Sequence, residues 1–187
     1  VPVAEGESVT IATNLVGSYN ADNVMAAIAV GCHFGVSFDE AVGAIEAYVP
    51  SNNRSQMTRT ERNTLIIDAY NANPTSMEAA LVNFASVEAE HKTALLGDML
   101  ELGDESLREH VRIASMALGL GLDQVCFVGA EFARALETMQ LPPDTGCMSF
   151  ETSDALREWL ADGKIQGHVV LIKGSRGTRM EKTTDAL

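Results

Sequence analysis

Cysteine is scarce in this sequence: Cys32, Cys126 and Cys147 are the whole supply among 187 residues. They stand far apart, without the paired spacing that zinc requires, and an odd number suits no disulfide framework. Small buried thiols in a reducing cytoplasm are the expectation. Long apolar runs are missing too, because Asn, Asp, Glu or Gly interrupts each one well before it could cross a bilayer. No basic flank followed by an apolar core opens the chain, so neither a membrane span nor a signal peptide is expected, and the composition is that of a soluble globular protein. Positive charge is in short supply as well, with 13 Lys and Arg against 26 Asp and Glu and a formal net charge of −13. That balance repels a phosphate backbone and argues against a nucleic-acid partner. A small anion is still admissible where cations gather, and they gather at Arg54 to Arg62 and at Lys173 to Lys182.

Several catalytic devices are absent. There is no Gly-x-x-x-x-Gly-Lys-Ser/Thr loop and no Gly-x-Gly-x-x-Gly after a strand, the main means of cradling nucleotide phosphates. The chain by itself is not expected to bind ATP strongly. His33, His91, His110 and His168 show no metal-ligand spacing, and no Ser or Cys occupies a nucleophile elbow, so neither a metal site nor a self-contained hydrolase is predicted.

What is present divides in two. The first dozen residues hold an alternating, strand-like run with no obvious partner nearby, as though the chain began within a domain. From Asn20 an Ala-rich segment predicts a helix capped by Asn20 or Asp22 and ending near Gly31 and Gly35. A second helix begins at a capping box, Ser37-Phe-Asp-Glu40, and runs through Ala41, Val42, Ile45 and Tyr48 to Pro50. A polar stretch from Ser51 to Asn63 reads as a linker. Beyond it apolar strands at Thr64 to Ile67, Thr93 to Leu96, Gln124 to Val128 and Val169 to Ile172 alternate with helical patterns, and a weaker strand is placed at Cys147 to Phe150. The helices are expected from Pro74, at Glu105 to Leu118, at Glu131 to Met139 and at Ser153 to Leu160. Strands apolar on both faces and separated by amphipathic helices predict an α/β, Rossmann-like, doubly wound and mainly parallel sheet over residues 62–187. Residues 1–50 form a helical unit before it, and residues 51–61 connect the two.

In such sheets the ligand crevice lies beyond the carboxyl ends of the strands. The loop after the first strand, Asp68-Ala-Tyr-Asn-Ala-Asn-Pro74, offers a carboxylate able to accept both ribose hydroxyls, and two amides before a helix; the same residues could simply cap that helix and hold the loop. Gly97-Asp-Met-Leu-Glu-Leu-Gly103 exposes Asp98 and Glu101 in a tight turn, or is ordinary turn chemistry. Lys173-Gly-Ser-Arg-Gly-Thr-Arg179 lets backbone and cations approach an anion closely. Before the α/β region, Asn20 and Asn23 fall on one side of a helical turn, and Asn53-Arg-Ser55 carries an arginine on an extended segment, available to a phosphate or to solvent.

Taken in order, Gly17-x-Tyr-Asn-x-x-Asn23, Asn53-Arg-Ser55, Asp68-x-Tyr-Asn-Ala-Asn-Pro74, Leu96-Gly-Asp-Met-x-Glu-Leu-Gly103 and Lys173-Gly-Ser175 resemble the Mur ligase family across nearly the whole chain. The tyrosine-containing motif from Asp68 and the Gly97 to Gly103 motif resemble its D-Ala-D-Ala-adding branch. The resemblance implies the tail of a central ATPase domain followed by a Rossmann-like ligase domain, cut off from the phosphate-binding part. It implies an ATP-dependent amide ligase of peptidoglycan synthesis, hence of cell-wall biogenesis, cell shape and division. The substrates would be UDP-N-acetylmuramoyl-tripeptide and D-Ala-D-Ala, joined through an acyl phosphate, with Mg²⁺ held mostly outside this chain. A cytoplasmic monomer, inactive as the fragment alone, is the expectation. By the same resemblance Asn20 and Asn23 contact adenine, Asp68 and Tyr70 the nucleotide, and Arg54 the terminal phosphate. Arg54 and Lys173 are the catalytic candidates, while Asn71, Asn73, Asp98, Glu101 and Ser175 face substrate. The alternatives are another Mur-type or folylpolyglutamate-type amide ligase, or a non-catalytic α/β binding module.

Overall fold

The computed structural model describes residues 2–4, 7–17, 20–51, 54, 56–142 and 145–187. At its start β1 (Pro2–Ala4) and β2 (Glu7–Ser8) pair antiparallel, so the strand-like run finds its partner within itself. Helix α1 (Asn20–His33) follows. It ends in a Schellman turn, with Gly35 at φ +91° and the N–H groups of Val36 and Gly35 donating to the carbonyls of Gly31 and Cys32. Asn20 opens the helix, and its Nδ2 donates to the Val16 carbonyl at 2.8 Å. Helix α2 (Phe38–Ala47) opens on the predicted capping box, in which Ser37 and Glu40 exchange backbone and side-chain hydrogen bonds. The two helices share a small core of Val24, Ile28 and Ala41, bordered by Ile11, Leu15, Phe38 and Ile45.

The rest is one six-stranded sheet. Its strands are β3 (Gln56–Arg59), β4 (Thr64–Asp68), β5 (Lys92–Gly97), β6 (Gln124–Val128), β7 (Cys147–Phe150) and β8 (Val169–Lys173). They lie in the order β3-β4-β8-β5-β6-β7, all parallel except β3. The expected α/β architecture is thus present. One stretch differs, because Gln56–Arg59, placed within the connecting segment on sequence, pairs antiparallel with β4 from Gln56↔Ile67 to Arg59↔Thr64. An edge strand with one face toward water needs no apolar run, and Gln-Met-Thr-Arg offers none.

Alternation along the inner strands divides the core. Ile66, Ala94, Leu96, Val125, Phe127 and Leu171 point to one face, where α3 (Pro74–Ala85), α4 (Ser106–Leu118) and α5 (Ala130–Met139) cover them with Met77, Leu81, Phe84, Ile113 and Phe132. Leu65, Ile67, Leu95, Cys126, Val128, Val170 and Ile172 point to the other, under α6 (Ser153–Ala161) and a closing 3₁₀ segment, Met180–Ala186. Each fully buried Leu or Phe contributes about 1.5–3 kcal/mol relative to exposure. The last strand, β8, enters between β4 and β5, which sets the loops following β4, β8 and β5 side by side at the centre of the sheet. Among the described residues no helix is long and apolar enough to cross a membrane.

Candidate functional site at the carboxyl edge of the sheet

Strand register brings the predicted loops together. Asp68 lies opposite Lys173 across β4 and β8, Leu96 lies opposite Lys173 across β5 and β8, and Asp98 follows one residue beyond Gly97. All three polar residues therefore stand at one edge, as expected of residues that end parallel strands. Lys173 is 1% exposed, and its Nζ meets Asp68 Oδ2 at 2.5 Å and the Asn71 carbonyl at 3.4 Å. A buried ammonium persists only with such partners, because desolvation of an unpaired charge is too costly.

Ser175 organises the edge. Its N–H donates to the Asp98 carbonyl at 3.0 Å, its Oγ donates to the Ala72 carbonyl at 3.1 Å, and Oγ accepts from the Leu100 N–H at 2.9 Å. One buried serine thus fixes the loops after β4, β5 and β8 to one another. Asp98 has a comparable task. Its two carboxylate oxygens accept the N–H groups of Glu131 and Phe132 at 3.0 and 2.9 Å, capping the first turn of α5. Burial pushes the Asp98 carboxyl above its ordinary pKa, against the opposing pull of those two bonds. Gly129 makes room for this cap: its φ is +116°, and a Cβ there would come within 2.2 Å of Asp98 Oδ2.

His110 completes the arrangement, and motif spacing did not single it out. Its Nδ1 donates to the Ser106 carbonyl at 2.7 Å, so Nε2 is left to accept the Met99 N–H at 3.0 Å. That pair of bonds defines the neutral ring with the proton on Nδ1. The available signal was positional, since His110 shares the apolar stripe of α4 with Ile113, Ala114 and Ala117.

The remaining candidates divide by environment. Asn73 caps α3, its side chain accepting the Ser76 N–H at 2.8 Å while its own backbone N–H donates to Ser76 Oγ at 3.1 Å, which is the capping alternative written in the sequence. Asn71 is exposed and its Oδ1 accepts the Ala72 N–H at 2.9 Å. Glu101 is exposed in the left-handed region at φ +66°. It borders an open cleft of about 940 Å³ whose walls include Asp68, Asn73, Glu105, Arg108 and Arg112. Arg54 reaches this edge, with its guanidinium 3.7 Å from the centroid of the Tyr70 ring, and Arg176 lies over the same ring at 5.6 Å. Arg176 is a second residue that sequence reasoning did not choose; its place between Ser175 and Gly177 in a basic loop was the only cue.

Asn20 and Asn23 stand apart from this group. Asn23 Nδ2 donates to Asn20 Oδ1 at 3.1 Å, and Asn20 lines a crevice with Thr10, Thr13 and Met25 that shares no wall residue with the cleft at the sheet edge. Tyr19, Asn53 and Ser55 of the sequence motifs lie outside the described residues. Among the described residues no three His, Cys, Asp or Glu side chains gather as metal ligands. Cys126 is buried, and its thiol pKa is pushed up to about 12 by that burial, which leaves it inert as a nucleophile at neutral pH.

Comparison with known proteins adds to this geometry. A family model described as "Mur ligase, glutamate ligase domain" matches residues 53–176. The chain is 34% identical over 169 residues to the UDP-N-acetylmuramoyl-tripeptide--D-alanyl-D-alanine ligase of Treponema pallidum (strain Nichols), covering 90% of this chain and 37% of that protein. A crystal structure of MurF from Acinetobacter baumannii matches with a TM-score of 0.83 and 31% identity, over 94% of this chain and 39% of that one. MurF ligase from Thermotoga maritima, solved in complex with ADP, shares the fold at a TM-score of 0.75 and 20% identity, over 92% and 38% of the two chains. The present chain thus spans under two fifths of the length of these proteins. With loops, sheet and family model in agreement over most of its length, the chain belongs to the Mur ligase family.

Proposed function

We propose that this chain is the C-terminal part of an ATP-dependent ligase that joins D-Ala-D-Ala to UDP-N-acetylmuramoyl-tripeptide in peptidoglycan precursor synthesis. Its place of action is the cytoplasm and its working form a monomer. Residues 1–50 close the ATP-binding domain, and the ligase domain follows the short connection after them. The observation that carries this reading is the edge just described: Asp68, Lys173, Tyr70 and Arg54 meet there, on the loops that bear the family's motifs. The T. pallidum relative, 34% identical over 169 residues, is named for this same reaction.

The residues present suit a nucleotide approaching from outside the sheet. Asp68 offers a carboxylate for ribose hydroxyls, and Arg54 on the exposed face of Tyr70 offers a cation to a terminal phosphate. Positioned cations of this kind stabilise the charge that builds on a phosphoryl group in transfer. Lys173 holds Asp68 in place and adds positive potential at the strand ends. Ser175, Asp98 and Asn73 serve by fixing the loops, since their polar atoms are engaged with backbone. Exposed Glu101 lines the cleft, where the amine of the dipeptide would enter, and exposed Asn71 lies on the loop after β4 that ends at the cleft's Asn73. Magnesium would bind through the phosphates and through residues beyond this chain, and would supply further charge neutralisation.

The test uses the complete gene product that contains this sequence. ADP release should require both UDP-N-acetylmuramoyl-tripeptide and D-Ala-D-Ala, and residues 1–187 alone should show no turnover above background. Ligation of a different amine in preference to D-Ala-D-Ala, or turnover by residues 1–187 alone, would overturn the reading.

A further inference from the structure

The arginines of this chain are not all treated alike. Arg108 pairs with Glu105 and Glu109, Arg112 with Glu78 and Glu109, Arg134 with Glu131, and Arg157 with Asp185. Arg54 and Arg176, like Arg59, Arg62 and Arg179, make no ion pair among the described residues, although acidic residues outnumber basic ones two to one in the sequence. Arg54 and Arg176 instead converge on the ring of Tyr70, which is 39% exposed. A guanidinium stacked on an aromatic face leaves its N–H edges directed outward in the plane, a fork suited to an oxyanion. Two like charges brought to one ring repel each other, and a shared anion relieves that repulsion.

The placement is held from both sides. Tyr70 lies between Asp68 and Ala72, the first fixed by Lys173 and the second by Ser175. Arg176 directly follows Ser175, whose backbone and hydroxyl are both engaged, and opens a 3₁₀ turn over Arg176–Thr178. Neither residue can drift far from the other while these bonds hold.

We propose that Arg176, Tyr70 and Arg54 form a two-pronged clamp for a phosphate oxyanion, in which Tyr70 is the spacer and Arg176 the second cation. The inference rests on the ligase reading above and adds to it a residue and a device. Two phosphate sources exist in that reaction, the nucleotide triphosphate and the diphosphate of the UDP-linked substrate, and the kinetics distinguish them.

In the full-length ligase, Arg176→Ala should raise KM for one of those two substrates by about tenfold, the usual loss for one charge-assisted contact. A rise confined to ATP assigns the clamp to the triphosphate, and one confined to the UDP-linked substrate assigns it to the diphosphate; either supports the proposal. Arg176→Lys should recover only part of the loss, because an ammonium lacks the planar fork. Tyr70→Leu should resemble Arg176→Ala. Arg157→Ala, on a surface pair elsewhere, is the control and should change neither KM. Unchanged KM values for both phosphate substrates in Arg176→Ala, with the wild-type enzyme active, would overturn the clamp while leaving the ligase reading intact. A wild-type enzyme without ligase activity would instead fail the reading on which it rests.

Discussion

Lys173 shows how one side chain can carry two duties. Its ammonium is almost wholly buried, and Asp68 is the anion beside it. Removing one member of a buried pair leaves the other charged and desolvated, at a cost of about 3–5 kcal/mol. Asp68→Ala should therefore lower stability, and in the full-length enzyme it should also weaken ATP use about ten- to a hundredfold through loss of a contact worth roughly 1.5–3 kcal/mol. The two effects separate in the double variant Asp68→Ala, Lys173→Met, which should regain most of the urea midpoint but none of the ATP affinity. Recovery of both would make Asp68 purely structural. The residue identities here were legible in sequence, whereas their partners were not. A serine or asparagine has the same letter whether its oxygen meets a substrate or a neighbouring carbonyl, and for Ser175 and Asn73 the neighbouring backbone holds it.

Helix α5 depends on a residue from another element. Its first turn has no cap from its own N-terminal neighbour, Gly129, and takes the Asp98 carboxylate instead. Gly129→Ala would force a side chain into the left-handed region and into that carboxylate. We expect a loss of at least about 2 kcal/mol, from backbone strain plus displacement of the cap, read as a lower denaturation midpoint. A midpoint within error of wild type would show that the cap relaxes freely. Cross-element caps of this sort escape sequence reasoning, because nothing near Gly129 in the chain announces Asp98. The inner strands were legible for the opposite reason, since burial on both faces writes an unbroken apolar run into β4, β5, β6 and β8. Strand β3 has one wet face and left no such trace.

Across the whole molecule the two ends of the sheet differ in chemistry. Opposite the candidate site, His168 stacks on His91 at 5.0 Å and hydrogen-bonds Thr93 Oγ1 at 2.8 Å, while His91 contacts Asp123. Burial, aided by His91, lowers the His168 pKa below its ordinary 6.5, against an opposing pull from Asp123. The unfolded chain then takes up this proton at a higher pH than the folded one does, so the contribution is intact above about 6.5 and is lost as pH falls below it. Thermal midpoints should decline between pH 7 and pH 5, and His168→Gln should flatten that decline without altering ligation kinetics at the far edge. An identical pH slope in the variant would remove His168 from the account. At the candidate site, the consequence of Ser175 is entropic. Ordering a loop costs roughly 1–2 kcal/mol per residue of backbone freedom. Because a single hydroxyl and its amide register three loops against each other within the fold, that ordering belongs to the folding equilibrium. An arriving substrate then meets a finished template, and its affinity is not reduced by having to assemble one.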